Sequence, residues 1–98
     1  MQVEAVGMVW YKPENYQRLK AMFEDGQKLH ATYEEWLAAA ELGRSTLEEG
    51  GKRVVCVDID PDEFPKWCRS KGMRFNAAAR NAFANLMAYR TVAGKQQS

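Results

Sequence analysis

Cys56, Cys68 and His30 are the residues of this 98-residue chain whose types could support nucleophilic catalysis or zinc binding. An activated cysteine needs a base within hydrogen-bonding reach, and a structural zinc site needs four ligands in paired spacing. Two cysteines and one histidine are too few for such a zinc site and lack the local context of a nucleophile and its base. We therefore expect both cysteines to be buried, reduced thiols, and we predict neither a metal nor a cofactor.

Three carboxylates alternate at Asp58, Asp60 and Asp62, as they do where an EF-hand calcium loop begins. The glycine that this loop requires is replaced by Glu63, and Arg69 stands where the closing glutamate would be. We therefore expect Asp60 and Glu63 to cap a helix rather than to bind calcium. The sequence contains no P-loop, dinucleotide fingerprint, nucleophile elbow or zinc-protease motif, and we predict that the protein is not an enzyme.

Charge is divided unevenly along the chain. Residues 1–63 hold all 13 acidic side chains and 7 of the 14 basic ones, so the later part of the chain is purely basic. Clustered lysine and arginine side chains bind phosphate by releasing counterions, which makes nucleic-acid binding an alternative function. The competing interpretation is that the acidic face of the second helix lies near the basic helices and cancels their field. The candidate phosphate-binding residues are Lys66, Arg69, Lys71, Arg74 and Arg80.

Apolar spacing, proline and glycine predict the element order strand, helix, helix, strand, helix, helix. The two strands cover residues 3–11 and 52–59. The helices are bounded by residues that start or stop them, namely Pro13, Gly26, Thr32, Gly50, Asp60, Gly72 and Asn76. This order is typical of an α+β fold, which we expect to form a single domain over residues 1–98 with a frayed tail at 92–98.

A sheet of only two strands is marginally stable, so it must be covered by helices or extended by a second subunit. The apolar second strand favours both, and we predict a homodimer that extends the sheet, with a compact monomer as the alternative. Aromatic residues often anchor interfaces, and Trp10 and Tyr11 lie on successive faces at a strand end, where they cannot both point inward. The predicted interface residues are Trp10, Tyr11, Val55 and Val57.

Residues 52–90 have the order strand, helix, Gly72 turn and helix, which resembles ribbon-helix-helix DNA-binding proteins. That resemblance implies an intertwined dimer whose paired strands enter the major groove of DNA. The strand here is a poor match, because Asp58 would repel phosphate and the alternate valines cannot replace polar base-reading side chains. The last two helices also resemble a helix-turn-helix, with Arg74, Arg80 and Asn81 near the start of a recognition helix.

The succession KPENYQRLKAMFEDG, TYEEWL, VVCVDIDPDEF, WC and ARNAFA, within residues 9–84, resembles a family of short bacterial proteins with no assigned activity. That resemblance implies a small cytosolic accessory protein. The composition, with 46% hydrophobic and 28% charged residues, is typical of a folded protein, and no apolar run is long enough to span a membrane. We therefore expect a cytoplasmic protein whose leading function is that of a noncatalytic protein-interaction or regulatory module.

Overall fold

The computed structural model describes the backbone of residues 5–96 and the side chains of residues 5–92. Two strands and four α-helices follow one another in this range in the predicted order, which confirms the α+β fold class. Their bounds are β1 Ala5–Trp10, α1 Tyr16–Met22, α2 Tyr33–Glu49, β2 Arg53–Asp58, α3 Glu63–Lys71 and α4 Ala77–Gln96, with a short 3₁₀ helix at Gly26–Lys28. The tail predicted to fray from residue 92 is helical as far as Gln96, and residues 97–98 lie outside the described range.

β1 and β2 form a parallel pair, with Ala5 opposite Arg53 and Trp10 opposite Asp58. Parallel strands cannot be joined by a tight turn, and α1 and α2 make the long crossover connection that this pairing needs. The Ile59 N–H donates to the Trp10 carbonyl at 3.1 Å and extends the ladder by one bond beyond the strands. The carboxyl ends of both strands therefore lie at the same end of the sheet, and α1 and α3 begin beyond it.

Helices pack on both faces of the sheet. Successive strand residues point to opposite faces, and α2 covers the face of Trp10, whose ring meets Trp36 edge-on at a centroid distance of 5.3 Å. α4 covers the opposite face, where Gly7 lies directly against the backbone of Ala84. α4 packs more extensively on β1 than on β2, and Val55 on β2 is only half-buried.

Local capping signals at Thr32, Gly72 and Asn76 set helix ends as predicted. Pro13 and Gly26 do not bound the first helix, since α1 begins at Tyr16 and ends at Met22. At the start of α2, Thr32 Oγ1 accepts a hydrogen bond from the Glu35 N–H at 3.2 Å and donates to the Glu35 carboxylate at 2.9 Å. At the start of α4, Asn76 Oδ1 accepts from the Ala79 N–H at 3.1 Å. Gly72 ends α3 in the left-handed conformation, with φ +66°, which glycine adopts without strain.

Two of the four predicted interface residues belong to the core of the chain. Tyr11 is 3% exposed and packs against Trp36 at a ring distance of 4.7 Å. Tyr11 lies beyond the end of β1, so the alternation of strand faces does not force its side chain away from Trp10. Val57 is 8% exposed, because it faces α4. The interface assignment of Tyr11 is therefore corrected, whereas Trp10 and Val55 are half-buried and Val57 keeps a small exposed part.

Gly7→Ala should destabilise the fold, whereas Gly43→Ala should not. A Cβ at residue 7 would lie 2.7 Å from the backbone carbonyl carbon of Ala84, so β1 or α4 would have to shift. Overpacking of this kind costs about 1–3 kcal/mol. A Cβ at residue 43 would lie 3.5 Å from Met8 Cε, an ordinary contact, and alanine gains up to about 1 kcal/mol over glycine inside a helix. Urea denaturation measures both variants, and equal midpoints would contradict the close packing of α4 on β1.

Candidate functional site

A cleft of about 580 Å³ lies between α3 and α4 beside the carboxyl end of β2, and we name it the α3–α4 cleft. Ligands of parallel sheets commonly bind outside the carboxyl ends of the strands, which is where this cleft lies. Its apolar lining consists of Val57, Trp67, Phe83 and Met87. Its polar lining consists of Asp58, Asp60, Glu63, Lys66 and Arg90.

The apolar lining follows from helical spacing. On α4, Phe83 and Met87 are four residues apart and so lie on one face of the helix. On α3, Trp67 lies one turn after the fully buried Phe64 and meets the Phe83 ring edge-on at 5.2 Å. The Trp67 indole N–H is buried without an acceptor, and it is the one such side-chain atom in residues 5–92. An unmade buried hydrogen bond costs about 1–3 kcal/mol, so ring packing alone holds Trp67 in place.

Two of the three carboxylates at the cleft have partners within the chain. Asp60 Oδ1 accepts hydrogen bonds from the Asp62 N–H at 2.7 Å and the Glu63 N–H at 2.9 Å. These bonds stabilise the ionised carboxylate and hold the pKa of Asp60 below its usual value. Asp58 lies 3.7 Å from Lys12 Nζ in an exposed ion pair. Asp60 therefore caps the start of α3, as predicted, whereas the predicted capping role of Glu63 is corrected, because its side chain makes no hydrogen bond within the described residues.

Glu63, Lys66 and Arg90 differ from these two aspartates. Their side chains are exposed, and none of the three makes an ion pair or a side-chain hydrogen bond within the described part of the chain. Glu63 and Lys66 lie one turn apart on α3, and Arg90 lies at the far end of the cleft face of α4. The cleft thus has an apolar centre and a rim that carries free charge of both signs.

The five predicted phosphate-binding residues do not form one basic face. Arg80 is 7% exposed, and its guanidinium donates two hydrogen bonds to the Asp25 carboxylate, at 2.8 and 3.0 Å. Its place among the phosphate-binding residues is therefore corrected, because the side chain is buried and committed to Asp25. Arg74 Nε donates to Glu24 at 3.0 Å. The remaining three are exposed along α3: Lys66, Arg69 and Lys71.

The sequence interpretation places the acidic face of α2 near the basic helices. In the structure the acidic partners of Arg74 and Arg80 instead lie in the segment after α1. The Glu24 N–H also donates to the Phe75 carbonyl at 2.8 Å, so the segment after α1 is bound to the turn before α4. The Arg80 guanidinium lies 4.4 Å from the centre of the Phe23 ring. Its hydrogen bonds hold the pKa of Asp25 below the usual value. The contact of Arg80 with Asp25 and Phe23 is a buried structural contact of α4, which the sequence does not reveal because these residues are at least 55 positions apart.

The residues first considered for nucleophilic or metal chemistry remain apart. Cys68 is fully buried in α3, and burial raises the pKa of its thiol. Cys56, expected to be buried, is exposed on β2, where its Sγ lies 4.0 Å from Arg44 Nη1. Cys56 is exposed because the helices cover β2 only partly. His30 is exposed, and the described residues contain no group of three side chains able to hold a metal ion.

Within the range that the structure describes, β2 pairs with β1 alone, so one edge of β2 has no neighbouring strand there. The ribbon-helix-helix resemblance requires pairing between two copies, and only that edge could provide it. Comparisons with protein-family models, curated proteins and solved structures give no match, and the resemblances stay predictions. Over the residues that the structure describes, we find no helix with the length and apolar character of a membrane span.

We expect Tyr11 to make the fold less stable as the pH rises from about 10 to 12. Burial raises the pKa of Tyr11 to about 12 from its usual 10.0, and the charge of Arg80 only partly offsets this. Between these values the unfolded chain loses the proton and the folded chain keeps it, so ionisation favours unfolding. One unit of pKa shift corresponds to about 1.4 kcal/mol. Urea denaturation at about pH 9 and about pH 11.5 should show a smaller decline for Tyr11→Phe than for the wild type. Equal declines would place the Tyr11 hydroxyl in contact with water.

Proposed function

We propose that this protein is a noncatalytic protein-interaction module and that the α3–α4 cleft is its binding site. The observation that carries the proposal is the combination of an apolar, aromatic centre with free charges at the rim. Protein interfaces have this anatomy, with an apolar core surrounded by polar groups. The volume of about 580 Å³ is within the range in which proteins bind small molecules or anchoring side chains.

The chemistry of the lining supports binding rather than catalysis. The nine lining residues include no cysteine, histidine, serine or threonine, so the cleft lining lacks the Ser–His and Cys–His pairs of nucleophilic catalysis. Of its three carboxylates, Asp60 is held ionised by two backbone N–H groups and Asp58 pairs with Lys12. A general acid near neutral pH would need a raised pKa, and the pKa of Asp60 is lowered instead.

Photo-crosslinking from inside the cleft tests this function. A benzoylphenylalanine at position 87 should give covalent protein adducts on irradiation in living cells, because Met87 lines the cleft. The same group at position 38 is the control, since Ala38 is exposed on α2 and outside the cleft. Circular dichroism checks that both proteins fold, and mass spectrometry identifies the adducts. Equal adducts at both positions, or none at position 87, would contradict a binding role for the cleft. Turnover of a substrate that is lost in Glu63→Gln would contradict the noncatalytic part.

Nucleic-acid binding is a second candidate function, favoured by one observation. Lys66, Arg69 and Lys71 are exposed on α3 and make no ion pair within the described residues. Contacts from three such cations would make log K fall with log salt at a slope of roughly −3 on duplex DNA. The Arg69→Gln/Lys71→Gln variant should reduce that slope while leaving the cleft intact, since neither residue lines it. Fluorescence anisotropy with labelled duplex and single strands measures both, and no binding at about 50 mM salt would remove this function.

A further inference from the structure

The free charges at the cleft restrict what can occupy it. Among the described residues, Glu63 is an unpaired anion and Lys66 and Arg90 are unpaired cations around one apolar centre. A well-matched partner must also present both signs around an apolar centre. In a two-fold dimer each surface meets itself, so a copy of this chain presents that pattern by symmetry. Glu63 of one copy can then lie against Lys66 or Arg90 of the other.

The sheet is incompletely covered next to the same cleft. α4 packs more on β1 than on β2, and Val55 and Val57, two residues apart, share the face of β2 that borders the cleft. Val55 remains half-buried, and one edge of β2 has no paired strand in the described part of the chain. A two-stranded sheet is marginal by itself, so covering this side would remove exposed apolar surface where the sheet is least protected.

Other occupants fit these observations less well. A nucleic acid would meet Asp58, Asp60 and Glu63 at the rim, and three carboxylates repel phosphate. A small molecule could fill the cleft but would leave the flank of β2 beside Val55 exposed. We infer that the α3–α4 cleft is an interface between two copies of this chain, related by a two-fold axis. This inference rests on the proposed function and adds the identity of the partner.

Charge reversal with rescue tests the inference on the purified protein. Glu63→Lys makes the free rim charges all positive, and the Lys66→Glu/Arg90→Glu variant makes them all negative. Like charges then face each other in either homodimer, and each variant should dimerise at least about tenfold more weakly than the wild type. Mixing the two variants places opposite charges face to face, so the mixture should form a heterodimer with affinity near that of the wild type. Glu41→Lys, an exposed reversal on α2 away from the cleft, should leave dimerisation unchanged.

Sedimentation velocity and native mass spectrometry give the readouts, with circular dichroism as the check on folding. The expected result is a wild-type dimer at micromolar concentration, weakened in each reversed variant and restored in the mixture. A wild-type chain that stays monomeric at about 100 μM overturns the inference, as does a dimer that the reversals do not weaken or that mixing does not restore. The proposed function is tested by different outcomes from those that test this inference. Adducts at position 87 with other proteins, together with a monomeric purified chain, leave the binding module standing and remove the copy as its partner.

Discussion

The parallel pairing of β1 with β2 is the constraint on which the rest of the structure depends. It requires a long crossover, which α1 and α2 supply, and it brings the carboxyl ends of both strands to one edge of the sheet. Tyr11 follows β1 at the carboxyl end of the sheet and packs on Trp36 of α2. Asp60 follows β2 at the same end and caps the start of α3. The cleft therefore forms where the sheet ends and α3 begins, rather than at an arbitrary surface position.

The buried ion pair of Arg80 and Asp25 explains why Arg80 does not join the exposed basic residues of α3. The two side chains are 8% and 20% exposed, and removing one partner of such a pair commonly costs about 3–5 kcal/mol. Arg80 lies in the first turns of α4 and Asp25 follows α1, so the pair fixes the start of α4 against the crossover. Arg74 adds an exposed pair with Glu24 beside it. Charge that is unevenly distributed along the sequence is thus partly balanced in space, through ion pairs between residues 50 and 55 positions apart.

The parts of the structure that the sequence predicts are those with local causes. Thr32, Gly72 and Asn76 mark helix ends because capping needs only neighbouring backbone groups, and all three hold in the structure. Strand direction was not predictable, since valine and aromatic residues favour parallel and antiparallel pairing alike. The burial of Arg80 and the exposure of Cys56 depend on which helix covers which strand. The cleft joins residues of β2, α3 and α4, and its only sequence signal is the four-residue spacing of Phe83 and Met87.

Gly7 connects the packing of the sheet to the shape of the cleft. Because residue 7 has no side chain, the backbone of α4 at Ala84 approaches β1 more closely than any other residue would allow. α4 therefore lies mainly over β1 and covers β2 incompletely. α3 is held at the other side by the packing of Phe64 and Trp67 against Phe83, so a gap remains above Val57. The apolar centre of the cleft thus arises from the close contact of one helix with one strand.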